Sequence, residues 1–147
     1  MKTTLHWKTG LEFEAEIGQH RLTLDSRLPL GKDAGPTPKE LVVAGLAGCT
    51  AMDVVALLKK YKQSADSVSV SSEVMTSEPG KHPIVFTGAQ IVFDVTGSVE
   101  AEKLKEAVVL SQTKFCGVSA MFAELFPVNW KIILNGTEIA QGSAQFK

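Results

Sequence analysis

Along the first 25 residues, apolar side chains fall on every second position. Leu5 and Trp7, then Leu11, Phe13, Ala15 and Ile17, then Leu22 and Leu24 keep the period of two of strands with one covered face. Thr9-Gly10 and Gly18-Gln19 break the alternation, which predicts an opening antiparallel three-stranded meander. A loop rich in Gly and Pro spans 26–35. Thr37-Pro38-Lys39-Glu40 then has the form of a capping box, with Thr at the N-cap, Pro at N1 and Glu reaching back to the N-cap amide. The helix it opens is expected to run to about residue 62. From 41 to 51 it is apolar nearly all round, so it should be buried on most sides. Ala44, Gly45, Ala47 and Gly48 would let another backbone approach closely.

Alternation returns at Val68, Val70, Ser72 and Val74. After the turn signal Glu78-Pro79-Gly80, the set Val85, Ala89, Ile91, Phe93 and Val95 supplies the other half of a hairpin. Ser98 is read as the cap of a second helix reaching about residue 114, with Leu104, Val108 and Ser111 on one face. Cys116-Gly117 breaks it, a short helix follows over 118–125, and Val128, Trp130, Ile132 and Leu134 form a last strand. There is no internal repeat. Strands and helices are segregated, so the expected class is α+β, with antiparallel sheets around two main helices in one domain over 1–147.

The 147 residues suffice for one hydrophobic core, and a net charge of -1 offers no footprint for nucleic acid or an anionic membrane. The first eight residues hold no apolar signal region, which points to the cytoplasm. The apolar stretch 41–58 contains Asp53, which costs about 2.5–3.5 kcal/mol at the centre of a span. That favours a buried helix over a membrane one. Two Cys and three scattered His lack zinc-site spacing, and no Gly-rich phosphate loop is present. Neither cofactor nor metal is expected.

Chemistry therefore rests on two cysteines, which a reducing cytosol would keep from forming a permanent staple. Cys49 lies inside the long apolar helix, where a free Cys often serves as a small hydrophobe. Cys116 stands where backbone amides open the next helix, a position that favours a thiolate. The words around them are specific. Gly35-Pro36-Thr37-Pro38-Lys39-Glu40-Leu41, followed by Ala47-Gly48-Cys49-Thr50-Ala51-Met52, resembles the N-P-E-E-L…A-A-C helix start of the OsmC/Ohr family of organic hydroperoxide reductases. Cys116-Gly117-Val118-Ser119 resembles that family's C-P-V-S word, and the 67-residue separation also fits. The order of elements matches over essentially the whole chain.

The resemblance implies an intertwined homodimer with its active sites at the subunit interface, acting in oxidative-stress defence. Its first Cys attacks an organic hydroperoxide and becomes a sulfenic acid. The second condenses with it to a disulfide, which a dithiol, often on a lipoylated protein, reduces. Family members lower the thiol pKa with an Arg held by a Glu ten residues before the first Cys. In this chain Lys39 occupies that place and Glu40 follows it. Nine positions rotate a helix roughly 180°, so Glu40 reads as the capping residue and as pointing away from Cys49. Arg27 is then the candidate cation, with Arg21 the alternative. Asp53, four residues after Cys49 on the same helix face, is read either as an anchor for Arg27 or as a solvated or lysine-paired acid. Without a cation it would raise the thiol pKa. Three functions follow: a peroxide reductase using Cys49 and Cys116, a non-peroxidatic dimer that binds an apolar or electrophilic ligand with Cys49 as sensor, and a thiol hydrolase.

Overall fold

The structure, a computed structural model, describes residues 1–80 and 82–146. The chain forms two compact units, Met1–Val42 and Val43–Lys147.

In the first unit, β1 (Thr3–Thr9), β2 (Glu12–Ile17) and β3 (His20–Leu24) form the expected antiparallel meander. Its register places Leu5 opposite Ala15 and Ala15 opposite Leu22, so residues of one period share a face. The loop after β3 is organised around the Asp25 carboxylate, which accepts the amides of Ser26 (2.7 Å), Lys32 (2.8 Å) and Ala34 (3.2 Å). Burial would raise this carboxyl, but the three donors outweigh it and hold the group below its ordinary value. The capping box forms as read. The Thr37 amide donates to Glu40 Oε2 at 2.7 Å, and the Glu40 amide to Thr37 Oγ1 at 3.4 Å. Glu40 also accepts a hydrogen bond from the Arg27 guanidinium, which donates to Asp33 Oδ1 at 2.6 Å.

Helix α1 (Pro38–Lys60) crosses from the first unit into the second. The second unit holds a four-stranded sheet in the order β4 (Ser64–Thr76), β5 (Phe86–Ser98), β6 (Val128–Leu134), β7 (Thr137–Ser143). Pairing is antiparallel except between β5 and β6, which run parallel. A parallel pair needs a crossover. Here it consists of α2 (Ala101–Leu110), a π-helical turn (Ser111–Phe115) and α3 (Gly117–Ala123). Ala89, Ile91, Phe93 and Val95 lie opposite Val128, Trp130, Ile132 and Leu134. The first seven of these join Leu46, Val54, Leu57, Leu104 and Val108 in the core.

Three expectations are corrected. First, α1 is buried along one stripe rather than on most sides: Leu46, Thr50, Val54, Leu57 and Leu58 are covered, while Ala44, Gly45, Met52 and Ala56 are exposed. One sheet-and-helix layer covers only one side of a helix. The helix is long and apolar enough to cross a membrane, yet its covered stripe packs in the protein core. Second, Ser98 does not cap α2. It ends β5, paired with Ser64, and the N-cap is Glu100, whose amide donates to Gln63 Oε1 at 2.8 Å. Third, α2 gives way to the π turn at Ser111 instead of continuing to 114, and β7 was not anticipated.

The Thr37 amide and then Arg27 hold the Glu40 carboxyl at about 2, below its usual 4.5. Folding thus favours the charged form, so Glu40's contribution is complete above about 4.5 and lost as pH falls towards 2. Urea midpoints measured between about pH 6 and pH 2.5 should drop across that window, and drop less in Glu40→Gln. Parallel losses in the two proteins would rule out this role.

Candidate functional site

Cys49 and Asp53 stand one helical turn apart on α1, the i and i+4 spacing that puts two side chains on one face. Cys116 comes from the crossover. The π turn closes with the Cys116 amide donating to the Ser111 carbonyl, five residues back, at 2.9 Å. The wider turn leaves the Gln112 carbonyl without its helical partner, and it takes the Gln145 amide instead at 3.0 Å. Cys116 then adopts an extended backbone (φ -73°, ψ 98°) as the N-cap of α3. Its carbonyl accepts from the Ala120 amide at 3.0 Å, and its Sγ from the Ser119 amide at 3.4 Å. Backbone bonds on both sides therefore fix this cysteine.

The two sulfurs and an Asp53 carboxylate oxygen all lie within 4.8 Å of one another. Both cysteines are free thiols, Cys49 half-buried and Cys116 fully buried. The expected convergence of the pair is therefore present. The α3 N-terminus was expected to favour a Cys116 thiolate, and it does supply the Ser119 donor. Burial outweighs it, with Cys49 adding to the effect, and pushes the thiol up to about 11.

Behind the sulfurs runs a polar chain that the sequence did not reveal. Gln112 Nε2 donates to Thr50 Oγ1 (2.7 Å), Thr50 and Ser111 share a hydrogen bond (2.8 Å), and Ser111 Oγ donates to Asp53 Oδ2 (3.0 Å). Thr50, Ser111 and Gln112 are fully buried. Polar residues at core positions were the available signal, and Ser111 on the α2 face carried it. Nothing in sequence links positions 61 residues apart.

The assignment of Asp53 as the anchor of Arg27 is corrected. Asp33 and Glu40 hold the guanidinium, and the hydrogen bond to Asp53 comes from Ser111. Glu40 caps the helix and binds the Arg together, because its two oxygens serve different donors. Arg21 pairs with Glu14 and Glu16 on the meander.

Residues 31–131 match the family of OsmC-like proteins. The chain belongs to the OsmC-like family. Protein YhfA of Escherichia coli K12 is 32% identical over 123 residues, covering 82% of this OsmC-like chain and 88% of YhfA. A hypothetical protein from Aquifex aeolicus VF5 superposes with a TM-score of 0.78 at 25% identity, over 91% of this chain and 96% of its own. A Legionella pneumophila protein, described as an organic hydroperoxide resistance protein OsmC and predicted redox protein, shares the fold at a TM-score of 0.63. Its identity is 23%, over 90% of this chain and 94% of its own. The OsmC-like family thus accounts for the fold and for the near cysteine pair.

Thr50→Val keeps the shape of the side chain but removes the acceptor of Gln112 and the partner of Ser111. It should destabilise the protein by about 1–3 kcal/mol in urea unfolding, with the m-value unchanged. A loss under about 0.5 kcal/mol would show that the polar chain adds nothing to stability.

Proposed function

We propose that this chain reduces organic hydroperoxides in the cytoplasm as a homodimer, with Cys49 as the attacking thiolate and Cys116 as the resolving thiol. The observation that carries this reading is the approach of two free sulfurs within 4.8 Å with unequal access, Cys49 half-buried and Cys116 fully buried. The accessible sulfur meets the peroxide. Its thiolate attacks the outer peroxide oxygen, the O–O bond breaks, and the alkoxide leaves as the alcohol with one proton. Cys49 is then a sulfenic acid. The Cys116 sulfur displaces the sulfenic hydroxyl, which departs as water with the thiol proton, and the disulfide forms. A dithiol of the lipoyl type returns both thiols. Arg27, held by Asp33 and Glu40, is the candidate activating cation of this reading.

Two observations support the wider reading. The Legionella relative bears the name of an organic hydroperoxide resistance protein. The exposed Ala44, Gly45, Met52 and Ala56 on α1 offer an apolar face to a second copy. A second function, binding of an apolar or electrophilic ligand with Cys49 as sensor, is favoured by Asp53. Its carboxylate stands within 4.8 Å of both sulfurs, a polar group at the contact to which the peroxidase steps give no role.

Cumene hydroperoxide should consume both thiols of the full chain and yield an intramolecular Cys49–Cys116 disulfide, with turnover supported by dihydrolipoamide. Cys49→Ser should abolish turnover, whereas Cys116→Ser should leave a sulfenic acid that dimedone traps. Two free thiols after treatment, with the peroxide intact, would overturn the peroxidase reading and leave the sensor. Sedimentation at micromolar concentration should show a species near twice the 15.8 kDa chain mass. A species at 15.8 kDa alone would refute the dimer.

A further inference from the structure

Cys49 Sγ, Cys116 Sγ and an Asp53 oxygen lie mutually within 4.8 Å, and all three are anionic when deprotonated. Two sulfurs and a carboxylate oxygen converging on one point form the kind of donor set that a borderline or soft divalent cation takes. We infer that the reduced protein binds one thiophilic divalent cation of the zinc type through Cys49, Cys116 and Asp53.

The donor set selects the class of ion. Two thiolates favour zinc and similar soft or borderline ions, and disfavour magnesium and calcium, which take oxygen ligands. In a tetrahedral zinc site, ligand atoms at about 2.0–2.3 Å from the metal lie about 3.6–3.8 Å apart. From the 4.8 Å limit on their separations, the three atoms reach this by closing about 1 Å or less. Their supports are those of a metal site. Ser111 donates to Asp53 Oδ2 at 3.0 Å, while the Ser119 amide donates to Cys116 Sγ at 3.4 Å. Thr50 holds Ser111 in turn at 2.8 Å. Three protein ligands leave a fourth position for water, the pattern of an open site. Counting Cys and His alone hides this set, because its third ligand is a carboxylate.

The ion and the peroxide compete for the same sulfurs. Two thiolates with their bound divalent cation, one hydroperoxide and two protons give the disulfide, one alcohol, one water and the released cation. The thiolates lose two electrons and the O–O bond takes them. This release rests on the peroxidase reading. The binding does not.

The test uses the full-length protein, reduced and stripped with a chelator. Zn2+ is titrated against a chromophoric competitor, and Cd2+ is followed by its thiolate charge-transfer absorption. One ion per chain is expected, with that absorption. Affinity should fall at least about 100-fold in Cys116→Ser, about 10–100-fold in Asp53→Ala and about 10-fold in Ser111→Ala, and be lost in the disulfide form. Equal affinity in Cys116→Ser or in the oxidised protein, or no cadmium–thiolate absorption, would overturn the site. Peroxide turnover of the metal-free protein, measured alongside, separates the two readings: turnover without zinc binding removes the metal site alone, and zinc binding without turnover removes the peroxidase alone.

Discussion

The hydrogen bond between the Thr50 and Ser111 hydroxyls is the contact on which the placement of both sulfurs depends. It spans 2.8 Å between two fully buried residues and joins α1 to the π turn. Thr50 is the chain neighbour of Cys49, and the Ser111 carbonyl receives the Cys116 amide. One hydroxyl pair therefore sets the position of α1 against the segment that carries the second cysteine. The net worth of such a bond is modest, about 0.5–1.5 kcal/mol. Its force as a constraint comes from the alternative, since sliding α1 would leave buried donors on Gln112 and Ser111 unpaired, at about 1–3 kcal/mol each.

The π turn supplies the other half of the geometry. An ordinary α-helical turn would bond the Cys116 amide to the Gln112 carbonyl. The observed turn moves that bond to Ser111 and gives the Gln112 carbonyl to Gln145. Both Ser111 and Gln112 are then buried, which lets one donate to Asp53 and the other to Thr50. Helices that widen in this way often do so at functional sites.

Period-two alternation made the meander, the β4–β5 hairpin and β6 readable in the sequence, although β1 keeps the pattern with both its faces exposed. β7 escaped because Thr137, Glu138, Gln141, Gly142 and Ser143 carry little apolar pattern. Yet Asn135-Gly136, with positive φ at both residues (50° and 81°), was a hairpin signal in plain view. Gly142 has its own physical reason: a Cβ there would come within 2.5 Å of Trp130 Cζ2, on the strand it pairs with. At the site, the cysteines were legible from their surrounding words, whereas the partner of Asp53 was not. The Thr37-Pro38-Lys39-Glu40 word marked Glu40 as a cap but could not show that its second oxygen binds Arg27. Side-chain pairing across long separations is set by packing, which local pattern does not encode.

What unites the site is that each of the three groups meeting there is anionic when deprotonated. Among the described residues, the groups whose ligating atoms meet at the pair are two thiols and a carboxylate. Each negative charge placed there makes the next more costly, and burial adds to the cost for Cys116. The cluster is therefore stable with protons or with a cation, and unstable as a set of bare anions. In the proposed cycle, protons serve directly: the buried Cys116 thiol keeps its proton until the sulfenic hydroxyl needs it to leave as water. In the metal-bound form, one divalent ion takes the place of those protons. The carboxylate that is unfavourable for an isolated thiolate becomes a ligand, and oxidation of the sulfurs removes two of the three groups that hold the ion. A cluster with this charge pattern couples the redox state of the pair to the occupancy of the site, whichever partner reaches it first.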